Sequence, residues 1–353
     1  MQDEIRQQPD AIERTLTSEW SQVERLKTHF QTHRPRFIVL AARGTSDNAA
    51  QFGRYLLEIT TGIPVSLAAP SVYTLYQSKV DLKDALVVAI SQSGESTDIN
   101  IVLERAKQAG ASTIGITNEE GSTLAKLAEY TFLVRAGKEK SVAATKTYTG
   151  QLFVMYLLAH ALGAAIRHDD LKKVPEFAAA ALELEPEIVA RTERYRFMQH
   201  AVVVGRGLNY ANSFEFALKL METCYIVAER FSSADLLHGP IAMLEASFPA
   251  FVLAPSGVTW TSIRELLEKL VSLKAETLVL TDQSNKDARS VRGLEKNLIT
   301  IPSLLAHKSG GPEELFTAIP YIIPGQLFAA SLADVMGLDP DKPRTLSKVT
   351  LTI

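Results

Sequence analysis

The sequence predicts an α/β fold built from two similar domains, each a parallel sheet flanked by helices. Two observations carry this. Short apolar runs rich in β-branched residues alternate with helix-period segments, the pattern of strands joined by crossover helices. The pattern then restarts: Ala201–Val204 before G-R-G-L-N parallels Arg36–Ala41 before A-R-G-T-S-D-N. Likewise Phe251–Ala254 before P-S-G-V-T parallels Leu86–Ile90 before S-Q-S-G-E-S, and Thr277–Thr281 parallels Thr113–Thr117. The offset is roughly 160 residues, a weak internal repeat.

The chain has 353 residues, 46% of them apolar and 22% charged, enough for two domains with sizeable cores. A net charge of −3 and the lack of a dense Lys/Arg patch argue against nucleic acid and acidic membranes as partners. Cys224 is the only cysteine, so no internal disulfide can form. The polar opening M-Q-D-E-I-R has no signal-peptide core, and the most apolar segment, Leu152–Ala165, is too short to span a membrane. A cytoplasmic protein is expected.

In chain order, residues 1–34 form an N-terminal helical segment interrupted near Pro9. A first domain is expected over 35–170. Its strands Arg36–Ala41, Pro64–Leu67, Leu86–Ile90, Thr113–Thr117 and Tyr130–Val134 are separated by helical segments. The helix Leu152–Leu162 follows, then a linker helix over 171–195. A second domain covers 196–340, and the tail 341–353 closes the active site.

Chemistry-bearing residues gather where strands end. Ser91-Gln92-Ser93-Gly94-Glu95-Ser96 lies between a buried strand and a helix start. Glycine permits the tight turn, and the hydroxyls and free N–H groups suit a phosphate. One serine would only cap the helix; the cluster favours phosphate. The second copy lacks it, so only the first domain is expected to hold phosphate. Gly44-Thr45-Ser46 forms a second strand–turn–helix that could clasp the same ligand. Gly205-Arg206-Gly207 lacks the third glycine and the distal acid of a dinucleotide site. Glu215, Lys219 and Glu222 share one helix face among apolar neighbours, a setting that shifts pKa values for proton transfer. His238 stands before Gly239-Pro240, and Lys348 lies in the tail. Spacing alone leaves both open between structural and catalytic roles.

S-Q-S-G-E-S, A-R-G-T-S, S-V-A-A-T-K, E-F-A-L-K-L-M-E, L-L-H-G-P and D-K-P-R-T-L-S-K-V-T together resemble the isomerase half of glucosamine-6-phosphate synthase. That half consists of two sugar-isomerase (SIS) domains, each a flavodoxin-like three-layer sandwich. The resemblance covers nearly the whole chain. It implies that Ser46, Ser91, Gln92, Ser93 and Ser96 hold the sugar phosphate, and that Thr45 and the Val142–Ala144 backbone touch the sugar. It implies Glu222 as the proton shuttle, Lys219 as its assistant, His238 as the ring opener and Lys348 as the Schiff-base lysine. It also implies a homodimer sharing its active site, with the histidine lent by the partner, and no metal or organic cofactor. Arg43 stands where the synthase has cysteine, and Ala144 where it has a sugar-contacting serine. Met1-Gln2 opens directly into the isomerase portion, so no glutaminase is expected here. The expectation is a stand-alone isomerase/deaminase converting glucosamine 6-phosphate to fructose 6-phosphate and ammonia. Alternatives are an ammonia- or partner-dependent synthase, a fructosamine-6-phosphate deglycase, and a non-catalytic sugar-phosphate sensor.

Overall fold

A computed structural model describes residues 1–302, 307–346 and 348. Two five-stranded sheets organise it, and every strand pairing in both is parallel. The first contains β1 (Phe37–Ala41), β2 (Val65–Leu67), β3 (Ala85–Ile90), β4 (Ser112–Thr117) and β5 (Tyr130–Leu133), in the order β2-β1-β3-β4-β5. The second contains β6 (His200–Gly205), β7 (Val227–Ser232), β8 (Pro249–Ala254), β9 (Glu276–Asp282) and β10 (Leu298–Ile301), in the order β7-β6-β8-β9-β10. The two orders are the same once each sheet is counted from its own first strand, so the repeat in sequence is a repeat in topology.

The eight strands expected from the apolar runs are present. β7 and β10 are additions. Both are edge strands, and β7 reads V-A-E-R-F-S, charged in the middle and largely exposed there. An edge strand needs only one partner and tolerates charge, so β7 leaves little apolar signature, whereas β10 is apolar, L-I-T-I, but only four residues long.

One helical expectation changes. The linker over 171–195 is a chain of short helices, Val174–Leu182 and Glu185–Thr192, followed by a 3₁₀ turn. Pro175 and Pro186 each sit in the first turn of a new helix, where a missing N–H costs nothing but the preceding helix must stop. The helix Ala318–Val335 is 18 residues long, longer than the apolar run Leu152–Ala165. That helix passes a length-and-composition test for a membrane span, but 89% of it is buried inside the fold. It packs against Tyr210–Cys224, Glu185–Thr192 and Val174–Leu182, so protein surrounds it. Its Gln326 exchanges hydrogen bonds with Gln8 and the Thr145 carbonyl, tying the chain's two extremities to the middle.

The helices Thr45–Thr61 and Tyr210–Cys224 pack against each other, one from each half. Their contact brings the turn after β1 next to the charged helix of the second half.

Candidate active site

Both serine-bearing turns leave adjacent strands. β1 pairs with β3 through Ala41↔Ala89, so the Gly44 and Gly94 turns emerge side by side. This is where the strand order reverses direction, the position at which open parallel sheets bind ligands. Arg43 Nε donates to buried Asp98 Oδ2 at 2.7 Å and bolts one turn to the other. Gly94 has φ +66°, and a Cβ there would lie 2.2 Å from Ser122 Oγ, so both conformation and space require glycine. Ser91 Oγ lies 3.0 Å from Ser96 Oγ and accepts from Gly94 N at 3.1 Å. Ser96 caps the helix Thr97–Gln108 without spending its hydroxyl on the helix's own amides. Ser46 is buried and accepts from Gln151 Nε2 at 3.0 Å, while Gln92 and Ser93 are half-buried. The turn thus gathers neutral donors at a helix N-terminus, an arrangement suited to an anion.

Across the domain contact stands the charged helix. Lys219, fully buried, lies between two carboxylates: Glu222 Oε2 at 2.6 Å and Glu215 Oε1 at 3.3 Å. The helical spacing of three and four residues puts all three on one face. Glu215 is also fully buried and accepts from Asn48 Nδ2 at 2.7 Å and Thr45 Oγ1 at 3.3 Å, so the first domain's turn and the second domain's helix share one hydrogen-bond network. Burial pushes the Glu215 carboxyl up to about 7, against the opposing pull of Lys219 and Asn48. Burial alone would lower Lys219, yet Glu215 and Glu222 together raise it, so its ammonium is firmly charged. Glu222 differs from both: its side chain is 23% exposed. The row is therefore a buried charge pair with one reachable carboxylate.

The third component is the loop before the helix Lys146–Ala161. Val142 N donates to Asp341 O at 3.4 Å, and Ser141 Oγ to Pro340 O at 3.4 Å, so the chain's tail lies along this loop. Ala144 is half-buried on it. Lys348 Nζ donates to Ser141 O at 2.7 Å and pairs with Glu139 Oε2 at 3.0 Å. Lys348 is therefore folded back rather than a free tail lysine; the rest of the tail beyond it lies outside the described residues. His238 is the candidate left apart. It ends the short helix Ser233–Leu237, is exposed, and its imidazole makes no hydrogen bond among the described residues.

Four residues that line or brace the site carried no assigned role in the sequence reading: Glu139, Asn48, Gln151 and Glu215. Glu215 stood out by its spacing with Lys219 and Glu222. Glu139 had a weaker signal, an acid just ahead of a helix entrance. Asn48 and Gln151 gave none, since a lone amide on a helix is ordinary.

An SIS-domain family profile matches residues 33–161 and 197–291. The glutamine–fructose-6-phosphate aminotransferase (isomerizing) of Aquifex aeolicus is 32% identical over 358 residues, covering 99% of this chain and 57% of the relative. The chain thus spans little more than half the length of that relative. Among solved structures, the C-terminal domain of glucosamine-fructose-6-phosphate aminotransferase from Francisella tularensis superposes with TM-score 0.84 at 27% identity, covering 96% of this chain and 97% of that one. A glucosamine-6-phosphate deaminase from Thermotoga maritima superposes with TM-score 0.73 at 21% identity, covering 97% and 100%, a likeness of fold alone.

Proposed function

The chain belongs to the SIS-domain family, and from that premise we propose that it is a phosphosugar aldose–ketose isomerase and deaminase, acting on glucosamine 6-phosphate. The observation that carries the reading is that buried Lys219, which pins the reachable Glu222 carboxylate at 2.6 Å, also donates to Thr45 Oγ1 at 3.4 Å, on the turn next to the serine turn.

In this reading the phosphate rests on Ser46, Ser91, Gln92, Ser93 and Ser96, with the sugar running past Thr45, Val142 and Ala144. Ring opening frees the C1 aldehyde and leaves the amine on C2. Glu222 takes the C2 proton and returns it to C1 through an enolamine, and Lys219 holds the carboxylate in place. The resulting C2 imine adds water and expels ammonia, leaving the 2-ketose. Lys348, beside the sugar-facing loop, forms an imine with the open keto-sugar, releasing one water. The exposed His238 fits ring opening only if a second copy brings it in, so the reading includes a homodimer in which the partner subunit's His238 completes each site.

The test is ammonia release from glucosamine 6-phosphate, with galactosamine 6-phosphate and a fructosamine 6-phosphate alongside. Release from the first supports the reading; turnover of either other substrate instead keeps the chemistry and changes the substrate. Silence on all three, with sugar phosphate still bound, overturns it in favour of a synthase needing a partner or of a sensor. The aminotransferase relatives, aligned over 99% of this chain, favour a second reading in which the same steps run backwards from fructose 6-phosphate and ammonia. Fructose 6-phosphate with an ammonium salt tests it directly.

A further inference from the structure

Glu139 is a buried carboxylate with more donors than one role requires. It accepts from Thr145 N at 2.8 Å, Thr147 N at 3.2 Å and Thr147 Oγ1 at 2.6 Å, all at the start of the helix Lys146–Ala161. Those bonds satisfy amides that a helix start leaves unpaired. Its other oxygen environment faces the tail, where Lys348 approaches to 3.0 Å. Burial would raise this carboxyl, but the Lys348 ammonium and the Thr147 and Thr145 hydrogen bonds overcome it and hold it below the usual range. It is therefore a negative charge in the loop before the helix Lys146–Ala161, tied to that helix's first turn.

Lys348 uses two of its three ammonium protons here, on Glu139 and on Ser141 O at 2.7 Å. The loop it grips is the one that carries Val142 and Ala144. A second buried carboxylate works on the same loop from outside: Glu4 accepts from the Lys140 and Ser141 amides, the latter at 3.2 Å. The loop is thus braced by Glu4 on one side and linked to the tail through Glu139 on the other.

We propose that Glu139 is the positioning residue for Lys348: a helix-anchored counter-ion that docks the tail lysine against the Ser141–Ala144 loop, where an open sugar's carbonyl would meet it. The inference rests on the site reading above, and its test needs no substrate, so the two can fail separately.

Competitive acylation of lysines with acetic anhydride, followed by peptide mass spectrometry, reads the docking. Each lysine is compared with itself in denaturant. In the native protein Lys348 should label at least about tenfold more slowly than its denatured reference, whereas exposed Lys342 should show little protection. In Glu139→Gln, which keeps an oxygen for the helix amides but removes the charge, Lys348 should lose most of that protection, with Lys342 unchanged. An unprotected Lys348 in the native protein overturns the proposal, even if the variant cannot be folded. Protection that survives the substitution also overturns it, because Ser141 alone would then hold the lysine. In turnover assays the variant should lose kcat, with KM within about threefold, since the phosphate turn is untouched; a loss confined to KM contradicts a positioning role.

Discussion

The two halves share a topology and differ at the turn that matters. In the first half the Ser91–Ser96 turn presents hydroxyls and amides with no carboxylate bonded to Ser91 or Ser96 among the described residues. In the second half the matching turn, Ser256–Thr259, is filled by the protein's own anions. Ser256 N donates to Asp282 Oδ2 at 3.0 Å, and Ser256 Oγ lies 2.7 Å from Ser284 Oγ. Val258 N donates to Glu314 Oε2 at 3.3 Å, and a Cβ at Gly257 would lie 2.0 Å from that same oxygen. Two buried carboxylates, Asp282 and Glu314, thus occupy the ground where a phosphate would otherwise meet donors. A duplicated fold keeps the geometry of an anion site in both copies; the neighbours decide whether a ligand or a side chain fills it. The second half instead contributes the buried row Glu215, Lys219 and Glu222, on the helix Tyr210–Cys224.

That division of labour can be broken most decisively at Glu222. Glu222→Gln should lower kcat by about 10³-fold while sugar-phosphate affinity stays within a few-fold, because only the shuttle is removed. Isothermal titration beside steady-state kinetics separates the two, and a comparable loss of affinity would place Glu222 in binding. Next comes the paired test of the turns. Ser91→Ala should raise KM about tenfold with little change in kcat, whereas Ser256→Ala should leave KM alone and cost about 1–2 kcal/mol of stability. A KM effect from Ser256 would mean that the second turn also meets substrate.

How much of this was legible beforehand follows the kind of signal involved. The serine cluster, the repeat and the Glu215–Lys219–Glu222 spacing are local patterns, and each maps onto a structural feature: a turn, a topology, a shared face. The charged edge strand β7 leaves little apolar signal, and the proline-cut helices of the linker compete with the stronger expectation of a continuous helix. What the sequence hides is convergence. Glu139 meets Lys348 across 209 positions, and Thr45 meets Glu215 across 170. Nor does any motif announce Glu314, because an acid in a polar connection reads as solvated until the fold lays it on a glycine.

Glu314 also gives the next prediction. Glu314→Ala would leave the Val258 amide without its acceptor and open space over Gly257, which should cost about 2 kcal/mol in urea unfolding with no change in KM. A rise in KM would join the second turn to the substrate site and dissolve the contrast between the halves.

The smallest effect tests the bridge between them. Glu215 is raised to about 7 from an ordinary value of 4.5, chiefly by burial. The unfolded chain gives up this proton first, so deprotonation favours the unfolded state. The contribution of Glu215 is therefore fully present below about pH 4.5 and is lost as pH rises through 7. Glu215→Gln holds no such proton. Between about pH 5 and pH 6 the native protein should lose about 1 kcal/mol more stability than the variant does, read from urea midpoints at each pH. Parallel curves would mean that Glu215 stays ionised throughout that range. Lys219 and Asn48 would then outweigh burial, and Glu215 and Lys219 would be an ion pair throughout that range, with Thr45 donating to a charged carboxylate.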